Sequence, residues 1–314
     1  MTTFKLQAFN QAGEQFSTIR DLVRFAVSTF QKHHLFFGHG TDNAYDEAVY
    51  LILHTLHLPL DQLEPYLDAR LLDDEISAVL KVLHLRVVKR LPAPYITNEA
   101  NFLGYSFYVD ERVIIPRSYL GEVLLNGSLE PWLEYPELVH NILDLCTGNG
   151  SLAIIAADYF TDAEVVASDI SLDALDVAKK NIEKYALQDR ITIQQSDLFA
   201  KLKKRKFDLI LTNPPYVDKS RMDFLPEEYR HEPCMALSGG DNGLVLVDNI
   251  LKNSVNHLTK DGVLLLEMGD NRLELEERYP GLNFAWLDTE NKEGFLFVLS
   301  ALDLKEYFGK KQKT

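Results

Sequence analysis

The stretch Phe207-Asp208-Leu209-Ile210-Leu211-Thr212-Asn213-Pro214-Pro215-Tyr216 governs how the rest of the chain is read. Leu209, Ile210 and Leu211 form a short apolar run, as expected for a parallel strand covered on both faces. The strand stops at Asn213, because two consecutive prolines can continue neither a ladder nor a helix. Their carbonyl oxygens have no N–H donors beside them, Asn213 adds an amide that both accepts and donates, and Tyr216 adds a flat ring with a hydroxyl. Such a turn can hold a planar NH2 group: the oxygens accept its two protons and the rings pack on its plane. An Asn-Pro pair also ends many ordinary strands, so the flanking sequence decides between the two readings.

From about residue 139 apolar runs alternate with amphipathic stretches, the pattern of an open α/β sheet. Strands are expected over 142–145, 164–167, 191–194, 208–211 and 263–267, with helices over 152–159, 172–185 and 245–258. The end differs. Runs at 284–287 and 295–299 are joined only by the segment from Asp288 to Gly294, which suits a hairpin and not a crossover.

After the first strand comes Asp144-Leu145-Cys146-Thr147-Gly148-Asn149-Gly150-Ser151-Leu152-Ala153. Gly148 and Gly150 allow a tight turn and close backbone approach ahead of a helix N-terminus. Gly148-x-Gly150-x-x-Ala153 also satisfies the dinucleotide fingerprint. Asp169 stands just past the second strand, where a carboxylate can accept both hydroxyls of a ribose. Asp197, in Ser196-Asp197-Leu198-Phe199, ends the third strand and can accept from an adenine amino group, with Leu198 or Phe199 against the ring. Asp144 repels a pyrophosphate but suits the ammonium and sulfonium groups of S-adenosylmethionine. A single acid of this kind can simply cap a helix; three at successive strand ends around one crevice point to a ligand. An NAD-dependent oxidoreductase would use the glycine turn but leaves Asp144 and the 213–216 turn unexplained.

Ahead of the sheet the pattern is helical. Phe16, Ile19, Leu22, Val23, Ala26, Val27 and Phe30 recur at spacings of three and four, one face of a helix. The loop Phe37-Gly38-His39-Gly40-Thr41-Asp42-Asn43-Ala44 leads into a second helix, with Thr41 or Asp42 as its cap and Asp46 and Glu47 in its first turn. Its stripe is Ala48, Val49, Leu51, Ile52 and Leu56, and Pro59 stops it. Helical pattern continues over 61–67 and 72–91, and Pro92 and Pro94 close the region. Residues 102–109 and 113–115 read as two strands around Asp110-Glu111-Arg112. Pro116-Arg117-Ser118 follows, then a helix over 120–133 that contains Glu122. The histidines of the region (His33, His34, His39, His54, His57 and His84) match no metal-ligand spacing and read as surface or groove residues.

The chain of 314 residues is 46% apolar and 25% charged, enough for one large or two ordinary domains. Its formal net charge of −15 disfavours nonspecific binding to phosphate backbones and favours a basic macromolecular partner. Two distant cysteines, Cys146 and Cys234, make neither a disulfide framework nor a zinc pattern, which fits a reducing cytoplasm. Cys146 reads as a small packing residue. The first fifteen residues include polar Thr, Gln, Asn and Glu and lack a signal-type apolar segment, and no run approaches the roughly 18 apolar residues of a membrane span. The Lys310-Lys311-Gln312-Lys313 tail reads as a frayed end.

Together, the Asp-x-x-x-Gly-x-Gly turn, the acid after strand two, Ser196-Asp197 and Asn213-Pro214-Pro215-Tyr216 resemble class I S-adenosylmethionine-dependent methyltransferases that act on a planar nitrogen. Asn-Pro-Pro-Tyr alone is shared by adenine-N6 DNA methyltransferases and protein glutamine methyltransferases. Pro116-Arg117 with Glu122, Glu232-Pro233-x-x-Ala236-Leu237-x-Gly239-Gly240-x-x-Gly243-Leu244, and Glu267-x-Gly269 are similar to the HemK-type glutamine N5-methyltransferase family, along essentially the whole chain. The stretch from Phe37 to Ala48 resembles the branch acting on large-subunit ribosomal protein L-three. The release-factor branch has no such stretch, and Pro116-Arg117-Ser118-Tyr119-Leu120-Gly121-Glu122 departs from its pattern.

The resemblance implies a Rossmann-like sheet ending in an antiparallel hairpin. It also implies a helical substrate-recognition domain over 1–95, a hairpin and helix linker over 96–135, and a catalytic domain over 136–308. It implies methyl transfer from S-adenosylmethionine to a glutamine amide of that ribosomal protein, a basic protein partner. Release factors, and then DNA adenine, are the alternatives, although no basic DNA-recognition domain is visible. It places catalysis on Asn213, Pro214, Pro215 and Tyr216. It places cofactor binding on Asp144, Cys146, Thr147, Gly148, Asn149, Gly150, Asp169, Ile170, Ser196, Asp197, Leu198 and Asn213, with no metal.

Overall fold

A computed structural model describes residues 15–289 and 293–311. The polar first residues, most of the end of the tail and part of the 288–294 connection therefore lie outside the described residues. The chain divides into two compact units: one is Met1–Phe102 with Val109–Glu111 and Pro226–His231, the other Leu103–Tyr108, Arg112–Leu225 and Glu232–Thr314. Among the described residues no helix is long and apolar enough to cross a membrane.

The first unit contains helices α1 (Ile19–Lys32), α2 (Ala44–Thr55), α3 (Asp73–Val88) and α4 (Ala93–Thr97), followed by strand β1 (Glu99–Phe102). The expected stripe of α1 is its buried face: Ile19, Leu22, Val23, Ala26 and Phe30 pack against Leu51, Ile52, Val79 and Leu83. Thr18 and Asp21 form a capping box that starts α1. The cap of α2 is Asn43, neither Thr41 nor Asp42; its side chain accepts from the Tyr45 and Asp46 amides, while Thr41 turns to Glu47. Over 61–67 only the 3-10 turn Glu64–Tyr66 forms. Pro92 and Pro94 do not close the helical region but open α4, where missing N–H groups cost nothing.

A buried cluster fixes this unit. The Arg86 guanidinium, 1% exposed, donates to Glu47 Oε1 at 2.6 Å, Glu228 Oε1 at 3.1 Å and the Phe36 carbonyl at 2.7 Å. Glu228 lies in the 3-10 turn Glu227–His231 and also accepts from the Phe36 amide. His231 meets the Lys89 carbonyl, and the Tyr229 ring packs at a tilt against Phe36 and His39. His39 is thus buried and not on the surface.

The second unit follows the expected alternation. Its elements are β2 (Tyr105–Tyr108), α5 (Leu120–Leu125), β3 (Asn141–Leu145), α6 (Ser151–Tyr159), β4 (Glu164–Asp169), α7 (Leu172–Lys184), β5 (Ile191–Gln195), β6 (Phe207–Thr212), α8 (Lys219–Met222), α9 (Cys234–Leu237), α10 (Val245–Ser254), β7 (Leu258–Glu267), α11 (Arg272–Arg278), β8 (Ala285–Leu287), β9 (Leu296–Ser300) and α12 (Ala301–Lys311). The seven-stranded sheet has the order β5-β4-β3-β6-β7-β9-β8. It is parallel through β7, and β9 pairs antiparallel with both β7 and β8. The chain runs from β3 to one edge through β4 and β5, then returns to β6 and runs to the other edge. Order therefore reverses between β3 and β6, the position where open α/β sheets leave a crevice at their strand ends.

Several local expectations change. The hairpin is β1 with β2, turning at Leu103 and Gly104, whose φ values of 51° and 84° suit a type I′ turn. Residues 110–112 are not its tip, and 113–115 stay outside any ladder because the Ile115 amide is taken by the Glu232 side chain. Helix α5 stops at Leu125, because Asn126 caps it and Gly127 turns left-handed. Helix α10 ends at Ser254, and Leu258 opens β7 rather than ending that helix. Helix α12 runs to Lys311, and the rest of the tail lies outside the described residues.

Candidate active site

Two turns leave the sheet side by side at the reversal point. Parallel pairing sets Leu145 against Thr212, whose hydroxyl donates to the Leu145 carbonyl at 2.8 Å. The glycine turn after β3 and the 213–216 turn after β6 therefore begin as neighbours.

In the first, Asp144 is fully buried. Its Oδ2 accepts from Thr147 Oγ1 at 2.5 Å, while Oδ1 is buried without a well-formed hydrogen bond. Burial pushes this carboxyl up to about 7; Thr147 and the Ala153 N–H pull against that, and the Asp169 charge adds to it. Cys146 takes a left-handed φ of 63°, and burial first, then the neighbouring acids, raise its thiol well above the ordinary range. Gly148 and Gly150 have φ values of 55° and 80°. A Cβ at Gly148 would meet nothing within 4 Å, so space lies open above it, whereas one at Gly150 would press on Ala178 at 3.1 Å. Asn149 accepts from the Ser151 amide, and its buried Nδ2 finds no partner.

Asp169 binds the glycine turn directly: Oδ2 accepts from the Gly148 amide and Oδ1 from the Ser171 amide, both at 2.9 Å. Burial raises its pKa, and these backbone donors oppose the shift. Ile170 is half exposed beside it. Ser196 is buried, its hydroxyl donating to the Leu198 carbonyl and accepting from the Lys201 amide, so it shapes the loop and offers little to a ligand. Asp197 is exposed, and Leu198 is buried with a left-handed φ of 43°.

In the second turn Asn213 is half-buried and Pro214 buried. Among the described residues neither the Asn213 amide nor the Pro214 carbonyl has a hydrogen-bond partner. Two acceptors thus stand unengaged at the head of the crevice. Tyr216 is held instead: its hydroxyl donates to Glu267 Oε1 at 3.2 Å and its carbonyl accepts from Asn271 Nδ2 at 3.0 Å. Burial first, then the Glu267 charge, push its phenol well above the ordinary range.

Sequence reasoning gave these supports no role. Glu267 is also buried and accepts from Ser118 Oγ at 2.6 Å and the Tyr119 amide at 3.0 Å; burial raises its pKa against those bonds. Arg117 forks onto Glu232 at 2.5 and 2.7 Å. Asn181 binds the Tyr108 amide and carbonyl and the Asn149 carbonyl. Its signal was a polar residue on the apolar face of α7, between Ala178 and Ile182.

Residues 129–226 match the family model described as "Methyltransferase small domain". The catalytic domain of hMettl16 in complex with MAT2A 3′UTR hairpin 1 shares the fold, with a TM-score of 0.50 and 15% identity over 89% of this chain and 91% of that one. The ribosomal protein uL3 glutamine methyltransferase of Neisseria meningitidis serogroup B is 55% identical over 292 residues, 93% of this chain and 96% of its own length. That of Burkholderia pseudomallei is 52% identical over 301 residues, 94% and 98%, and that of Bradyrhizobium diazoefficiens 45% identical over 292, 91% and 92%. The sheet, the two adjoining turns and these relatives agree: the chain belongs to the ribosomal protein uL3 glutamine methyltransferase family and is an S-adenosylmethionine-dependent methyltransferase of class I fold.

Proposed function

We propose that this chain transfers a methyl group from S-adenosylmethionine to the side-chain amide nitrogen of a glutamine in large-subunit ribosomal protein uL3. The observation that carries the reading is the pair of unengaged acceptors, Asn213 Oδ1 and the Pro214 carbonyl, beside the glycine turn at the reversal point of the sheet. The cofactor supplies an electrophilic methyl group when bound. The residues present fit it: a buried carboxylate oxygen of Asp144 and the Asn149 amide lack partners, and the backbone is open at Gly148. Asp144 suits its ammonium group, Asp169 its ribose and Asp197 its adenine amino group. Ile170 and Leu198 flank the base, and Cys146, Thr147, Gly148, Asn149 and Gly150 form the turn around it; Ser196 shapes the loop that presents Asp197 and Leu198.

An amide nitrogen is a poor nucleophile because its lone pair is delocalised into the carbonyl, so the protein acts mainly by positioning. Asn213 Oδ1 and the Pro214 oxygen accept hydrogen bonds from the two amide N–H groups and turn the lone pair toward the methyl group; one of the two protons leaves to solvent as the nitrogen is methylated. Pro215 and Tyr216 pack on the amide plane. In domain terms, residues 1–95 select the substrate, 96–135 link and 136–308 catalyse. The acidic chain meets a basic ribosomal protein in the cytoplasm. Asn213→Ala is expected to abolish turnover while cofactor binding persists, measured by labelled methyl transfer and by calorimetry. Loss of cofactor binding in a folded Asn213→Ala protein would contradict the assignment.

A further inference from the structure

The motifs Pro116-Arg117-Ser118, Gly239 to Gly243 and Glu267-x-Gly269 have no part in the chemistry above, yet they meet at Tyr216 and at Glu267 beside it, and Glu232-Pro233 supports them through Arg117. Glu267 is the last residue of β7, one place beyond Leu266, which pairs with Thr212; it stands level with Asn213. It takes the Tyr216 hydroxyl on one oxygen, and Ser118 Oγ and the Tyr119 amide on the other. The Tyr216 ring lies on Gly269, where a Cβ would come within 2.7 Å of Cε2. Gly239 sits where a Cβ would come within 2.8 Å of both the Pro215 carbonyl and the Tyr216 Cα. Asn271 holds the Tyr216 carbonyl. Hydroxyl, ring edge and carbonyl of this one tyrosine are held by Glu267, Gly269 and Asn271, at the end of β7 and in the loop after it, and its Cα is hemmed in by Gly239 from another segment.

We propose that Glu267, seated by Ser118, is a positioning residue that acts through Tyr216: by taking the phenol hydroxyl it sets the ring plane of the amide pocket before substrate arrives. The proposal rests on the methyl-transfer reading of the 213–216 turn. Since the hydroxyl is engaged as a donor, Tyr216 serves the substrate with its face and not with a proton. That suits a weak nucleophile. The amide gains rate from being held flat and in line, and a ring free to swing would lose that alignment. Arg117 sits next in sequence to Ser118 and is itself held by the buried Glu232, so the segment that seats Glu267 is anchored on its N-terminal side.

The test is a double-mutant cycle on methyl transfer to uL3 with the full chain. Glu267→Gln is expected to lower kcat by roughly 10- to 100-fold, as a small misplacement in an active site does, with the dissociation constant for S-adenosylmethionine within about twofold. In a Tyr216→Phe background, which already lacks the hydroxyl, the same change should alter kcat by less than about twofold, because the two residues act as one unit. Ser118→Ala gives a second variant that is milder on folding: kcat should fall and Ser118→Thr should restore it. An undiminished effect of Glu267→Gln in the Tyr216→Phe background would overturn the proposal. Failure of Ser118→Thr to restore what Ser118→Ala loses would do the same, as would loss of cofactor binding in parallel with kcat. Absence of transfer by the unaltered chain would instead overturn the reading on which the proposal rests.

Discussion

At the residue scale, Asp144 carries a charge problem that a ligand can solve. Its carboxyl is buried, half-partnered and raised to about 7. Between the ordinary carboxylate range and pH 7 the folded protein keeps a proton that the unfolded chain releases. On this group's account, then, the ligand-free fold loses stability as pH rises through that window. Under the proposed assignment the cofactor's ammonium group binds the ionised form, so cofactor affinity should rise with pH up to about 7 and level off above it. Calorimetric titration between pH 5.5 and 8.5 checks this. Asp144→Asn should flatten the pH dependence and weaken binding by roughly 10- to 100-fold, the worth of one charged hydrogen bond. The same variant should melt higher than the parent at pH 8 without cofactor. Affinity independent of pH in the parent chain would separate Asp144 from the ammonium group.

At the element scale, the cluster of Glu47, Arg86 and Glu228 ties helices α2 and α3 to a turn from far along the sequence. Removing one partner strands a buried charge, so Glu228→Ala should cost about 3–5 kcal/mol in denaturant unfolding. Asp68→Ala, which breaks the exposed pair with Arg20, should leave Tm unchanged. Elements set by local chemistry match their periodicity: the strands from β3 to β6 and helices α6 and α7 lie within a few residues of their expected bounds, and β7 ends where expected but starts five residues earlier. Where long-range partners or turn chemistry decide, the local pattern misleads. Glu47 looked like a first-turn acid favourable to the helix dipole and is the mate of Arg86, 39 residues away. Residues 113–115 had strand composition, but the amide of Ile115 goes to Glu232, 117 residues on. The tip at Leu103-Gly104 carries little local signal, because leucine rarely takes a positive φ.

At the scale of the whole molecule, the acidic charge of −15 should show as kinetics. If a basic ribosomal protein is drawn in by long-range attraction, kcat/KM for uL3 should fall between 50 and 300 mM salt, as the screening length shrinks from roughly 14 to 6 Å. A flat salt profile would mean that capture depends on short-range contacts. The candidate site was legible in outline because its acids, glycines and the 213–216 turn stand at successive strand ends, which the alternating pattern locates. The contacts of its supports were not, even where the residue stood in a motif, as Glu267 did, since Ser118, Asn181, Glu267 and Asn271 reach the site only through the sheet order and the packing of separate segments.

The most direct measurement of the central claim is labelled methyl transfer from S-adenosylmethionine. The chain would be offered purified ribosomal protein uL3, a peptide-release factor and adenine-containing duplex DNA in parallel, with the Asn213→Ala chain as control. The account predicts one methyl group on a glutamine side chain of uL3, none on the other two substrates and none from the control. Label on the release factor or the DNA in place of uL3, or undiminished transfer by Asn213→Ala, would contradict it.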